Sequence, residues 1–196
     1  KVASCNIVYG ESSWPSTYRL SANITMGMLK GTDQINNQHG LTKQDIVCNL
    51  KQLCENVIEP VFSIVGKQNI IITSVFRYPG YVTGALHPAT GISFHEQGLG
   101  VDLCFYNKTF TQYYDVAVQL KQSIQFDKLL LEYRIGTTRG VSSYKPWIHI
   151  QWQQPAINMA NGRKGGTPRK EVYTMKNDVV HAPSLVNLLP GDTSKY

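Results

Sequence analysis

The most informative part of the sequence reads Ser93-Phe94-His95-Glu96-Gln97-Gly98-Leu99-Gly100-Val101-Asp102. His95 and Asp102 lie seven residues apart, with two glycines between them. This spacing suits a turn that leads into a strand and brings both side chains to one point. A neutral imidazole and a carboxylate are both good zinc ligands. Taken alone, the pattern also fits a surface histidine followed by an aspartate that caps a helix or a turn.

A second stretch alternates like a strand and reads Trp147-Ile148-His149-Ile150-Gln151-Trp152. Trp147, His149 and Gln151 would share one face of that strand, because successive side chains point to opposite faces. A histidine between two isoleucines is commonly a hydrogen-bonded core residue. His149 therefore becomes a candidate metal ligand only in combination with the first stretch.

Periodic patterns elsewhere predict further strands and helices. Short apolar runs predict strands at residues 69–75, 100–105, 126–133 and 147–152, with a loop of about a dozen residues between the last two. A helical stripe of apolar residues begins after Thr42, which can cap it together with Asp45. Pro60 is expected to kink or end this helix, and Gly66 to close it. A second helix is predicted over residues 113–125, and residues 78–92 are predicted to form a long functional loop.

Length and composition indicate one globular domain. The 196 residues are 42% hydrophobic and 16% charged, which is sufficient for a single core. We expect a lead-in segment at residues 1–19, a domain at residues 20–154 and an extended basic arm at residues 155–196 that packs on a neighbour or on its own domain. No signal peptide or membrane span is expected. The net charge of +6 favours anionic surroundings. Nucleic acid is not an expected partner, because the sequence has no pattern of basic residues with interleaved aromatic residues.

Together the two stretches resemble a known metal-site signature. The pattern Ser-x-His-x-x-Gly-x-small-x-Asp followed by Trp-x-His is typical of the zinc D-Ala-D-Ala carboxypeptidase and endolysin superfamily. The resemblance to its phage-type branch covers about residues 20–152 and includes further segments in the same order: residues 20–29, 49–50, 57–61, 72–77 and 126–132. It implies an α+β fold in which a small, mainly antiparallel sheet with flanking helices surrounds a single zinc site.

The resemblance also implies roles for individual residues. One zinc ion (Zn2+) would have a water in its fourth position and three protein ligands: His95, Asp102 and His149. Arg77 would stabilise the substrate carbonyl oxygen as charge develops on it, although it also fits an ordinary surface arginine. Ser93 and Trp147 are predicted to contact substrate. Ser93 alternatively fits a turn serine that bonds its own backbone.

The general base is less clearly marked. Several members of the superfamily carry Glu or Asp three residues before the last histidine ligand, where this chain has Pro146. We predict that Glu132 replaces it, because the phage-type branch carries a glutamate there and its strand could pair with residues 147–152. The alternatives are that Glu96 is the base and that Glu132 faces solvent. His87 is a substrate contact or a plain loop histidine.

The expected function follows from the resemblance. The chain is predicted to be a zinc-dependent metallopeptidase that hydrolyses a stem-peptide or cross-bridge amide of bacterial peptidoglycan. It would belong to a phage endolysin or to a lytic domain of a phage tail or baseplate, located in the virion or in the host cytoplasm before lysis. Residues 155–196 could contact neighbouring virion proteins. The alternative is a structural virion domain that keeps the fold and the metal site without catalysis.

Overall fold

A computed structural model describes residues 14–78, 93–138, 141–153, 168, 170–176 and 179–181 of the protein. Three α-helices occur in these ranges: α1 (Lys43–Leu53), α2 (Glu59–Val65) and α3 (Phe110–Ser123). Six strands occur with them: β1 (Ile70–Ser74), β2 (Gly100–Phe105), β3 (Lys128–Thr138), β4 (Val141–Gln151), β5 (Glu171–Lys176) and β6 (Val179–His181). The predicted loop at residues 78–92, which contains His87, lies outside the described residues except for its first position.

The first helical segment begins and ends where its sequence predicts. The Thr42 hydroxyl accepts from the Asp45 N–H at 3.1 Å, and the Asp45 carboxylate accepts from the Thr42 N–H at 2.8 Å, so the predicted capping box is confirmed. α1 continues through a π-helical turn, Cys54–Ile58, into α2. Pro60 does not end the helical segment, because it lies in the first turn of α2, where proline is tolerated. Gly66 closes α2 at φ +87°.

The strands form one mixed sheet in the order β1-β2-β4-β3-β5-β6. Every neighbouring pair is antiparallel except β3 and β5, which are parallel. The predicted α+β class with a mainly antiparallel sheet is therefore confirmed at this level. The predicted long loop between the third and fourth strands is wrong, since β3 and β4 pair from Lys128↔Gln151 as far as Thr138↔Val141. Backbone pairing extends this hairpin through polar residues that carry no apolar alternation.

One face of the sheet is covered by helices and forms the core. The residues of β2, β4 and β3 that point to this face are fully buried: Val101, Leu103, Ile148, Ile150, Leu129 and Leu131. α3 packs on β3 and β4, and buried side chains of α1 and α3 belong to the same apolar cluster. The other face of the same strands carries Asp102, His149 and Glu132, because strand residues alternate. The sheet thus separates the core from a polar face.

Part of the predicted C-terminal arm packs on its own domain, one of the two alternatives that the sequence left open. β5 pairs with β3 from Lys128↔Glu171 to Tyr133↔Lys176, and β6 pairs with β5. Val172 and Thr174 are buried. Among the described residues, no helix has the length and apolar character needed to cross a bilayer.

Candidate metal centre

The three predicted ligands come from two neighbouring strands and the turn that precedes one of them. His95 lies in a one-turn 3-10 helix, His95–Gln97, just before β2. Asp102 is the third residue of β2 and pairs with His149 of β4 across the antiparallel register. Both residues therefore project from the same face of the sheet. The side chains of all three are buried on that face, so the structure brings together the residues that the sequence singled out.

Two glycines make the approach of His95 to β2 possible. Gly98 ends the 3-10 helix with φ +71°, a conformation that favours glycine, and a Cβ at this position would lie 2.9 Å from the Ile46 carbonyl oxygen. A Cβ on Gly100 would lie 3.2 Å from the backbone nitrogen of His95. The turn can therefore fold tightly against both α1 and itself, as the spacing of the sequence predicted.

The ligand atoms lie at separations that suit a small divalent ion. His95 Nε2 is 3.2 Å from His149 Nδ1 and 3.3 Å from Asp102 Oδ1. Metal–ligand bonds of about 2.0–2.2 Å place the ligands of a tetrahedral zinc ion roughly 3.3–3.6 Å apart. The third distance, 2.6 Å between His149 Nδ1 and Asp102 Oδ1, is that of a hydrogen bond. The buried group of His95, Asp102 and His149 could therefore bind a metal ion after a small separation of this last pair.

The ring of His95 is held in an orientation that suits metal binding. Its Nδ1 lies 2.9 Å from the Val75 carbonyl oxygen, which can only accept a hydrogen bond. Nδ1 therefore carries a proton, and Nε2 points toward Asp102 and His149. Hydrogen bonds of this kind orient histidine ligands in metal sites. The Arg77 N–H, which donates to the His95 carbonyl at 3.3 Å, further ties this turn to the chain after β1.

The carboxylate of Asp102 is shared between the histidines and a guanidinium group. Its Oδ1 faces the two rings, while Oδ2 accepts from Arg77 Nη2 at 2.7 Å. Arg77 is itself held by a hydrogen bond from its Nε to Ser74 Oγ at 3.0 Å. Burial alone would raise the pKa of Asp102, but His95 and the hydrogen bonds to both histidines hold it well below its usual range. Asp102 is therefore ionised, the form that binds a metal.

Burial keeps the imidazole of His149 neutral, whereas the partners of Asp102 keep that carboxylate ionised. Burial lowers its pKa, and this effect outweighs the hydrogen bond and the charge of Asp102, which raise it. A neutral imidazole is the form of histidine that ligates metals. The other ring nitrogen, Nε2, lies 2.9 Å from the side-chain amide of Gln151.

The remaining predicted site residues lie on the same sheet face or in the turn that carries His95. Glu132 lies on the same sheet face as His149, opposite Trp147 and one strand away, and is half-buried. Trp147 is half-buried under the guanidinium of Arg134, whose Cζ lies 5.8 Å from the ring centroid. Ser93 Oγ accepts from the His95 N–H at 3.2 Å, so its hydroxyl supports the turn that carries the ligand.

The alternative base, Glu96, is engaged elsewhere. Its carboxylate is 2.8 Å from His39 Nε2, and its carbonyl oxygen accepts from the side chain of Gln38. His39 and Gln38 were missed by the sequence reasoning, because they lie over fifty residues from Glu96 and follow no pattern. Gln151 was also given no role, although its position two residues after His149 on a strand was a usable signal.

The residues of this centre form a buried group that could bind a metal ion. Two imidazoles and one carboxylate suit zinc, and they also suit other divalent ions. His95, Asp102 and His149 could therefore bind a metal ion, and their chemistry does not select one divalent ion. No protein-family model, no curated protein and no solved structure matches this chain.

Proposed function

We propose that this chain is a zinc-dependent peptidase that hydrolyses an amide bond in bacterial peptidoglycan. The proposal rests mainly on the convergence of three buried candidate ligand atoms. His95 Nε2 lies 3.2 Å from His149 Nδ1 and 3.3 Å from Asp102 Oδ1. Two imidazole rings and a carboxylate that converge on a buried face form a donor set suited to a metal ion. The motif resemblance supplies the reaction class.

A bound zinc ion would supply Lewis-acid chemistry, polarising a carbonyl group and acidifying a water molecule. The protein would supply the proton transfer and the charge stabilisation around it. Glu132 is the proposed base, because it lies on the ligand face of the sheet, diagonal to His149 on the neighbouring strand. Diagonal neighbours of this kind are within reach of a glutamate side chain. A positioned base of this type contributes roughly 10²–10⁴-fold to a rate.

Arg77 would act beside the metal. Its Nη2 neutralises the outer oxygen of Asp102, and its Nε is held by Ser74, so the guanidinium plane is fixed. The remaining nitrogen, Nη1, is the group that we propose to face the substrate carbonyl oxygen. A fixed donor placed where charge develops lowers the barrier without needing to reorient.

The substrate proposal rests on the surface next to the centre. Trp147 and Arg134 form a stacked pair on the ligand face, directly after Glu132 along the hairpin. An aromatic ring with a cation above it suits a flexible peptide that carries a carboxylate, as stem peptides do. The net charge of +6 would favour an anionic wall polymer. The phage origin and the virion partners expected from the resemblance remain part of this proposal.

A second candidate is a structural virion domain that retains the metal without catalysis. Pro146 favours it, because a proline occupies the position where several members of the superfamily carry their base. The structure also gives Pro146 a backbone reason to be tolerated. The carbonyl oxygen of Pro146 faces Cys104 Sγ of β2 at 3.8 Å, and the nitrogen of Pro146 faces the same side. The last β2–β4 pair is at Ile148, so the missing N–H of Pro146 removes no hydrogen bond of that pairing.

One experiment separates these readings. The protein is purified, loaded with zinc, analysed for metal and incubated with purified peptidoglycan while newly released amino groups are counted. We expect one zinc per chain and release of amines, with loss of both in His149→Ala. His181→Ala is the control, since β6 lies three strands from β4, and both properties should survive. Zinc without release would favour the structural domain, and a chain that binds no zinc would refute both candidates.

A further inference from the structure

The side chain of Gln151 presents an unusual pairing to His149. Its Nε2 lies 2.9 Å from His149 Nε2, while its Oε1 is buried and has no hydrogen-bond partner among the described residues. The residue is held firmly, because its backbone pairs with Gly100 of β2 and Lys128 of β3, and its carbonyl accepts from the Asp127 N–H at 2.8 Å. Buried amide oxygens normally accept a hydrogen bond, so the unpaired Oε1 of Gln151 needs an explanation.

The metal-free hydrogen bonds determine where the proton of His149 lies. The ionised Asp102 can only accept, so the 2.6 Å contact requires the proton on His149 Nδ1. His149 Nε2 is then an acceptor, and the amide nitrogen of Gln151 donates to it. This arrangement is self-consistent, but it uses Nδ1, the atom that faces His95, as a donor.

A metal ion held by Nδ1 reverses these roles. Nδ1 must then offer its lone pair, so the proton of the neutral ring moves to Nε2. The amide nitrogen of Gln151 would now meet another donor at 2.9 Å, which is unfavourable. Turning the amide about its last torsion exchanges nitrogen for oxygen at almost the same place and needs no movement of the backbone.

We propose that Gln151 is a positioning residue that selects the metal-binding tautomer of His149 by turning its amide, so that Oε1 accepts from His149 Nε2. This gives the buried oxygen a partner, while the amide nitrogen takes the place that the oxygen occupies without zinc. It also explains why an amide suits this position, since it can serve both tautomers, whereas a carboxylate can only accept and an apolar side chain can do neither. The inference rests on the metal site of the proposed function but not on hydrolysis.

Two variants of Gln151 test this, with zinc affinity measured by competition with a chelator and the His149 tautomer measured by nitrogen-15 NMR of the rings. In the unmodified protein, zinc should move the His149 proton from Nδ1 to Nε2. Gln151→Leu should weaken zinc binding by roughly 10- to 100-fold, the usual effect of losing such a partner. Gln151→Glu should keep the affinity within about threefold or raise it, because a carboxylate can accept from the protonated Nε2 of the zinc-bound ring.

Lys128→Met provides the matched control. Lys128 lies opposite Gln151 on the same face, but its Nζ contacts Glu171 at 3.3 Å rather than a histidine. Its replacement should leave zinc affinity within about threefold, because a half-exposed ion pair contributes little. Equal losses in the Leu and Glu variants would show that Gln151 only packs, and would overturn the inference. An unchanged affinity in Gln151→Leu would do the same, whereas absence of zinc binding in the unmodified protein would refute the metal site itself.

Discussion

Replacing Arg77 with methionine tests the electrostatic structure of the site most directly. Methionine keeps much of the length of the side chain but removes the guanidinium that lies 2.7 Å from Asp102 Oδ2. The side chains of Arg77 and Asp102 are only 27% and 11% exposed, so water screens the pair incompletely. The substitution leaves a buried, ionised carboxylate without its cation, and the metal-free protein should be destabilised.

The size of this effect can be bounded. Two unit charges about 4 Å apart attract by ~4 kcal/mol at an effective dielectric constant of about 20. Removing one partner of a buried pair commonly costs about 3–5 kcal/mol. Because Arg77 remains partly exposed and water can take its place, we expect the free energy of unfolding to fall by about 2–3 kcal/mol. With zinc bound to the other oxygen, the positive charge of the ion should reduce this loss to about 1 kcal/mol.

Urea denaturation at pH 7, with and without zinc, measures both values. Lys51→Met is the control, because its ion pair with Glu55 is as short, at 2.6 Å, but is 34% and 41% exposed. Such a surface pair should contribute less than about 0.5 kcal/mol. If Arg77→Met costs no more than Lys51→Met in the metal-free protein, the Asp102 carboxylate does not depend on Arg77, and the reasoning is refuted.

Three further predictions concern the reaction, the turn and the metal. Glu132→Gln should keep zinc and fold while peptidoglycan hydrolysis falls by roughly 10²–10⁴-fold; full activity would move the role of base elsewhere, with Glu96→Gln as the next test. Gly98→Ala should cost more in thermal unfolding than Gly40→Ala, since both glycines have positive φ but only the Cβ at residue 98 would meet a neighbour within 4 Å. The difference should be about 1–2 kcal/mol, and equal costs would contradict the close approach to α1. Zinc affinity should fall with decreasing pH, because protons compete for the histidines. The lowered pKa of His149 keeps that ring neutral below the ordinary value of about 6.5, so equilibrium dialysis should place its share of the loss below that pH; binding that stays constant down to pH 4 would exclude histidine ligation.

Local chemistry made much of the fold predictable. β2 was predicted at residues 100–105 and is observed there, since glycine precedes it and apolar residues fill it. Thr42 and Asp45 mark the start of α1, because a capping box is a short-range interaction between adjacent positions. The three ligand candidates were identified from the combined motif and its resemblance to a known metal-site signature, since neither stretch was decisive alone.

Long-range pairing was harder to predict. The pairing of β5 with β3 joins residues about forty positions apart, and nothing within residues 171–176 names its partner. The contact of Arg77 with Asp102 depends on how the chain after β1 passes the ligand turn, which no periodicity reports. The role of Gln151 depends on which of its two amide atoms faces the His149 ring, and this orientation cannot be predicted from the sequence.

The β3–β4 hairpin extends well past the strands that flank it. The described pairing of β4 with β2 ends at Ile148, and that of β3 with β5 ends at Tyr133. Beyond Tyr133, β3 and β4 pair with each other for five more residue pairs. At about 3.4 Å per residue, this two-stranded ribbon projects roughly 17 Å beyond the sheet. Glu132 and Trp147 form the pair next to its base, beside the metal ligands. A displacement of this ribbon would therefore move Glu132 and Trp147 before it moved Asp102 and His149, which lie where β2 and β4 are paired.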